Sequence, residues 1–581
     1  MRIARGLVTA SAVAFAAGCG AAHDAPAPAR AAKPAVPIAA RLPMKPGAFG
    51  PSLVAMTGTP GELTDGNQLS DVDTCATCHP AAAAQWNQSP HSFASFGNPI
   101  YRFDIELARD ELGKHDSQMC GGCHDMPLML DGLMAGTVPS DDLRAHSGVT
   151  CRLCHGIQRV TKDGNGSYVW SRAPIEAPDM KDPASIARHR QQVGVKKLGT
   201  ELCVGCHRGF LSPDMDMPVH LTGLDEPGMW RNSAWTGNGI GRVDQVEQKT
   251  CIDCHMEREA ASPDEVAAKG GTIASHRFLG GHTWMAAMRG DADEVHRLQA
   301  KLEGVASIDV QPAPVAGNAV DVTIRNLLVG HRFPGGVLDI QDTWIEVELA
   351  DATGKRLAES GLAHATDPAD QDAHVLRTLV VDEDGHVLEH HEMPKMRTQI
   401  ATQTLAPREA QTIRYAFDVP KDAVLPLSVT ARLRHRSRTL AMQDEVCRAS
   451  RSETGRAFLD GAKGTRQVHL DPCMPQPITL IAETHATLGA IPRDWEREYE
   501  HGMRLGDQRD RLRLARIELD VARPARTLGE RAAFRRARGL ADIFLHRERA
   551  RAMAQSRGHR QRHLRVRGNV ERVAHGLRLA R

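Results

Sequence analysis

The strongest constraint on this chain is a pentapeptide that occurs five times: Cys75-Ala-Thr-Cys78-His79, Cys120-Gly-Gly-Cys123-His124, Cys151-Arg-Leu-Cys154-His155, Cys203-Val-Gly-Cys206-His207 and Cys251-Ile-Asp-Cys254-His255. The spacing suits a porphyrin. The two thiols form thioethers to its vinyl groups, and the imidazole of the next residue binds the iron as proximal ligand. About 0.01 matches are expected by chance at this composition, so five matches identify five covalently attached haem c groups. Zinc would require Cys/His quartets assembled between motifs, and disulfides would require no histidine after each pair.

Five porphyrins change what the remaining residues must supply. Aromatic residues make up only 4% of the chain, which is thin for ordinary large cores, and the apolar faces of the haems provide much of the missing bulk. The motifs begin 45, 31, 52 and 48 residues apart, too unevenly for a regular solenoid. Between them, Ile105 to Leu112 and Pro183 to Val193 read as short helices among loops rich in Gly, Pro and Asp. Residues 67–290 therefore form a pentahaem region that is mainly helical or irregular.

Near residue 305 the pattern turns to alternation, in Val320, Val322 and Ile324, then in Trp344, Glu346, Val347 and Leu349. Similar runs follow at Val375 to Val381, Thr412 to Val419, Leu427 to Leu433 and Ile478 to Ile481. Short strands separated by turns predict an antiparallel β-sandwich-like domain over 305–490. The fold class is thus mixed.

The two ends carry different signals. Arg2 and Arg5 precede the apolar run Leu7 to Ala17, which is too short to remain as a membrane span and reads as a signal peptide over 1–18. The run ends Ala16-Ala17-Gly18-Cys19, which resembles a bacterial lipobox with Cys19 as the lipidated residue; an ordinary signal peptide with an incidental cysteine is the alternative. Gly20 in place of an aspartate favours the outer membrane, again by resemblance to lipoproteins. Residues 19–66, with Pro26, Pro28, Pro34, Pro37, Pro43 and Pro46, read as a tether. At the other end, residues 501–581 hold 22 Arg, no Lys and eight acidic residues, whereas the whole chain carries a net charge of only +1. The segment 491–581 is then an Arg-rich helical or disordered tail: either a basic arm, or a degenerate extension or frame error. The near-neutral total gives no indication of a nucleic-acid partner, and the acidic remainder points to docking on redox proteins.

Export places the thiols in an oxidising compartment. Ten cysteines belong to the motifs and Cys19 to the leader, leaving Cys447 and Cys473, which are expected to form a disulfide; two separate thiols are the alternative.

Function turns on the sixth iron ligand, because a filled position transfers electrons while an open one admits substrate. Of 28 histidines, five are proximal. The candidates for distal ligand are His91, His146, His276, His282 and His331, all set among small or aromatic residues, with His115 and His220 as substitutes. The stretch from Cys75 to His91, including Trp86, Ser89 and His91, resembles the opening of the cytochrome c-554-like multihaem cytochromes, in which the residue matching His91 is a distal ligand. Gly148-Val-Thr-Cys151 and Thr250-Cys251 to Met256 are similar to the same group. Asn326, Gly330-His331, Phe333-Pro334 and Asp342 to Trp344 resemble a C-terminal module attached to many of its members, although this chain has Pro334-Gly335-Gly336 where Pro-Thr-Gly is usual. The resemblance spans roughly 67–490 and implies a carrier of single electrons at the cell envelope, lipid-anchored and periplasmic or outer-membrane-associated. The alternative is a reductase or oxidoreductase acting on a small nitrogen or sulfur compound at one open haem. No Cys-x-x-Cys-Lys motif is present to supply a lysine-ligated active haem. A surface binding module that merely contains haem is the remaining class.

Overall fold

The computed structural model describes residues 52–488, apart from 60–63, 162, 194–197, 214–218, 220, 238–246, 314–318, 369, 371 and 467–468. The expected leader, Cys19, most of the tether, the Arg-rich tail and His220 lie outside the described residues.

The N-terminal part is built of short helices. A helical turn brings residues three apart to the same side, so wherever a motif is helical its two thiols emerge together with the histidine following. Gln118–His124, Cys151–Gly156 and Cys251–His255 are such turns. The last two start on threonine caps: Thr150 accepts from the Leu153 N–H, and Thr250 accepts from the Asp253 N–H while the Asp253 carboxylate accepts from the Thr250 N–H. After the first motif the chain turns straight into Pro80–Gln88, with proline at the first position, where no amide hydrogen is needed. The expected helix near 105–112 is longer than its apolar pattern, running Pro99–Asp116 from an Asn98 cap. The second expected helix is Pro183–Gln192.

These pieces close around Leu69, Phe96, Ile105, Met126, Leu128, Met129, Met134, Leu153, Tyr168 and Trp170. Methionine, with its unbranched chain, fills the irregular gaps that short helices leave. Small antiparallel pairs, such as Arg208–Leu211 with Leu221–Asp225, join the loops.

The C-terminal part is antiparallel, as the alternation predicts. Ala319–Asn326 lies between Ala306–Pro312 and Ala410–Ala416 in one sheet. In the other, Asp342–Ala350 pairs with Leu427–Arg436 from Asp342 opposite Arg436 to Ala350 opposite Ser428. Arg356–Ser360 and Thr479–Leu488 flank that pair. Val320, Val322, Ile324 and Ile413 from the first sheet share one buried cluster with Ile345, Val347, Leu349, Val429 and Leu433 from the second. Each strand therefore gives the core alternate residues.

The 305–490 region is not wholly strand. Leu440–Ser450 and Glu453–Ala462 are helices capped by Thr439 and Ser452. They pack back onto the N-terminal part: Met442 and Val446 lie against Ile100, Trp284 and Met288, and Phe458 lies among the Phe96 cluster. Cys447 and Cys473 are bonded, tying the first of these helices to the chain that leads into the last strand. Among the described residues, no helix is long and apolar enough to cross a membrane.

Candidate haem sites

A metal-binding imidazole is set by what its other nitrogen does. When Nδ1–H donates to an oxygen, Nε2 carries the free lone pair, and the ring orientation is fixed. His124 and His255 donate to the carbonyls of Ala94 and Leu279 at 2.6 and 2.8 Å. His79 differs, because its Nδ1 meets a carboxylate, Glu265 Oε1, at 2.8 Å. Glu265 is 3% exposed and also accepts from the backbone of Ala82 and Ala267. Burial pushes its carboxyl up, but the bonds from His79, Ala267 and Ala82 outweigh it and hold the group below its usual range.

Iron ligation sets the spacing of the rings opposite the motif histidines. The centre of an imidazole ring lies about 1.1 Å from Nε2, so two rings binding one iron from opposite faces, through bonds of about 2 Å, have centres roughly 6.3 Å apart. Four motif histidines have a second imidazole at this spacing. His79 faces His189 at 6.5 Å, His155 faces His276 at 6.5 Å, and His255 faces His331 at 6.3 Å, with planes 15°, 18° and 12° apart. His207 faces His91 at 6.1 Å with planes 70° apart. The partners are anchored in the same manner: Nδ1 of His189, His276 and His331 meets the carbonyls of Glu176, Ala274 and Arg332 at 2.8, 3.0 and 2.9 Å. Burial, reinforced by neighbouring imidazoles, pushes His91 down to about 3 and His331 to about 4, so both are neutral and able to ligate. These donor sets fit haem c.

The remaining motif histidine, His124 of the second motif, is different. The His124 ring stacks face to face on Tyr101 at 4.2 Å with planes 12° apart. The Tyr101 hydroxyl donates to Asp125 at 2.6 Å. Among the described residues, no histidine ring faces His124 at the ligand spacing.

The structure thus brings His91, His276 and His331 to motif histidines and leaves two expected candidates apart. His146 has Nε2 2.8 Å from the Ser140 carbonyl and a buried Nδ1 without a protein partner, and no motif ring faces it at the ligand spacing. His282 is 8% exposed with a buried, unpartnered Nε2, yet no motif ring faces it at the ligand spacing. The substitute His115 is exposed and bonded to Asp116. His189 was not among the candidates. It sits between Arg188 and Arg190 on a polar helix, without the small or aromatic neighbours that marked the others.

Thiols from different motifs also meet. Cys75 lies within hydrogen-bonding reach of Cys151, Cys123 of Cys206, and Cys203 of Cys251. The first motif therefore adjoins the third, and the fourth adjoins both the second and the fifth.

Residues 74–156 match the family model for cytochrome c554 and c-prime. With its repeated haem-attachment motif, the chain is a multihaem c-type cytochrome. Among solved structures, a penta-heme cytochrome c552 from Thermochromatium tepidum aligns at 16% identity with a TM-score of 0.46, covering 72% of this chain and 99% of its own. No curated protein matches the sequence.

Proposed function

We propose that the chain carries five haems and passes single electrons along them between redox proteins at the bacterial cell envelope, exported and held by a lipid at Cys19. Haem c supplies reversible one-electron iron chemistry; the chain's own residues fix the iron ligands, exclude water and set the potentials. The observation that carries this reading is the four opposed imidazole pairs, His79/His189, His155/His276, His207/His91 and His255/His331, at 6.1–6.5 Å. Iron held on both faces by imidazole presents no open position for a substrate. The thiol pairs Cys75 with Cys151, Cys123 with Cys206 and Cys203 with Cys251 support short distances between haems that would be held at the first and third, the second and fourth, and the fourth and fifth motifs.

A second reading is favoured by one site. Among the described residues no imidazole faces His124 at the spacing that the other four motif histidines show, so a haem held there is the position at which a small nitrogen or sulfur compound would bind if the protein is a reductase. Electron paramagnetic resonance of the oxidised holoprotein separates the two. Five low-spin haems per chain support the carrier throughout; a high-spin signal equal to one haem, lost on Cys123→Ala/His124→Ala substitution, supports chemistry at His124 and overturns the pure carrier.

A further inference from the structure

We propose that the haem attached at Cys75 and Cys78 is an exchangeable binding site, at which a small π-accepting diatomic ligand such as carbon monoxide or nitric oxide displaces His189 from the ferrous iron. The inference rests on the reading of His79 and His189 as axial partners and is separate from the question of His124.

Two independent features meet at this site. The first is how His189 is held. Its helix, Pro183–Gln192, has no buried residue, and none of its side chains joins a hydrophobic cluster. Among the described residues, the hydrogen bonds and ion pairs of 174–193 stay inside that segment: Glu176 N–H to Gln192, Asp179 N–H to Ser185, Ala184 N–H to Asp182, His189 to the Glu176 carbonyl and Arg188 to Asp182. What crosses to the body of the protein is the His189 ring facing His79. Segments with few buried apolar contacts open at low free-energy cost, so His189 can swing away without disturbing a core.

The other distal partners are fixed. The His91 carbonyl accepts from Val149 N–H at 2.8 Å, and Ser92 and Phe93 beside it are buried. His276 donates its N–H to Gln85 at 3.0 Å. His331 lies in a loop whose carbonyl is bonded by Asn326. Losing any of these rings from its iron would require breaking packed structure.

The second feature acts from the opposite face. Glu265 draws the Nδ1 proton of His79 toward a buried carboxylate, which makes Nε2 a stronger donor to iron than a ring bonded to a carbonyl. A stronger ligand on one face weakens the bond on the other, and an electron-rich ferrous iron favours ligands that accept density back. With haem bound at Cys75 and Cys78, the exchange would trade one neutral donor for another: His189, its Nδ1–H kept on the Glu176 carbonyl, would leave as neutral imidazole and carbon monoxide would take its position, with iron ferrous throughout and no proton transferred.

The test uses full-length holoprotein reduced with dithionite and mixed with carbon monoxide, followed by Soret absorbance. The wild type is expected to show one slow phase, with the amplitude of one haem and a rate that levels off as carbon monoxide rises, because release of His189 comes first. His189→Ala should convert it into a fast phase proportional to carbon monoxide, and should add one high-spin haem to the oxidised spectrum. Glu265→Gln should slow the wild-type phase several-fold by weakening the push from His79. If His189→Ala gains no high-spin haem, the axial pairing is wrong. If it does, but the wild type lacks the saturating phase, the exchange proposal alone is overturned. Should His189→Ala fail to assemble, the wild-type phase and its slowing in Glu265→Gln decide, and an unchanged rate overturns the proposal.

Discussion

The ring of His331, carried between two strands of the C-terminal sheets, faces the ring of the fifth motif's His255 with centres 6.3 Å apart and planes within 12°. Each ring is held by a backbone carbonyl at its other nitrogen. Gly335 makes room for the pairing: a Cβ there would come within 2.5 Å of His331 Cε1.

His331→Ala is expected to convert one low-spin haem into a high-spin one and leave the other signals in place. Paramagnetic resonance of the oxidised protein measures this, with one haem per chain as the size of the change. Retention of every low-spin signal would show that His331 is not an iron ligand.

Gly148 is a second packing point. It has φ +64°, and a Cβ would lie 2.2 Å from the His91 carbonyl oxygen. Gly148→Ala therefore combines a left-handed backbone, costing about 1 kcal/mol, with a clash on the segment that carries His91. The variant should melt at a lower temperature and show altered ligation at the His207 haem alone. A melting temperature equal to wild type would contradict this account.

The buried Asp342 governs acid stability in the strand-rich part. Burial pushes its carboxyl up, but hydrogen bonding and charge from His364, followed by the Arg436 charge, bring it down to about 2. Because the folded value is depressed, the stabilisation is present above the unfolded value near 4 and is lost as pH falls from there toward 2; its size is about 2 kcal/mol. Asp342→Asn strands Arg436, which is 1% exposed, and should cost about 3 kcal/mol at neutral pH while flattening the acid limb of a denaturation curve.

The Cys447–Cys473 bond closes a loop of sequence separation 26. Replacing both by serine should lower stability by about 3.5 kcal/mol on the chain-entropy estimate, as read by urea denaturation. The loss should centre on the helix that packs Met442 and Val446 against Trp284.

Much of this was legible in the sequence because haem attachment is local. Five pentapeptides identify the cofactor chemistry without any knowledge of tertiary structure, and alternation such as Val320, Val322, Ile324 marks strands that do pair antiparallel. Distal partners are long-range, and a context of small or aromatic neighbours marks residues that are also packed, as at His91, His276 and His331. It does not mark His189, whose neighbours are arginines on a helix that buries nothing. The usable signal was the missing apolar face of 183–192: a helix with nothing to bury must be held in place by something else. The same context marks His146, whose Nε2 meets the Ser140 carbonyl.

The thiol contacts between motifs bear on how the protein can be made. Cys75 neighbours Cys151, Cys123 neighbours Cys206 and Cys203 neighbours Cys251. A sulfur held in a thioether can no longer exchange with a neighbouring thiol, so completing attachment at one motif of a pair would protect the other from oxidative crosslinking.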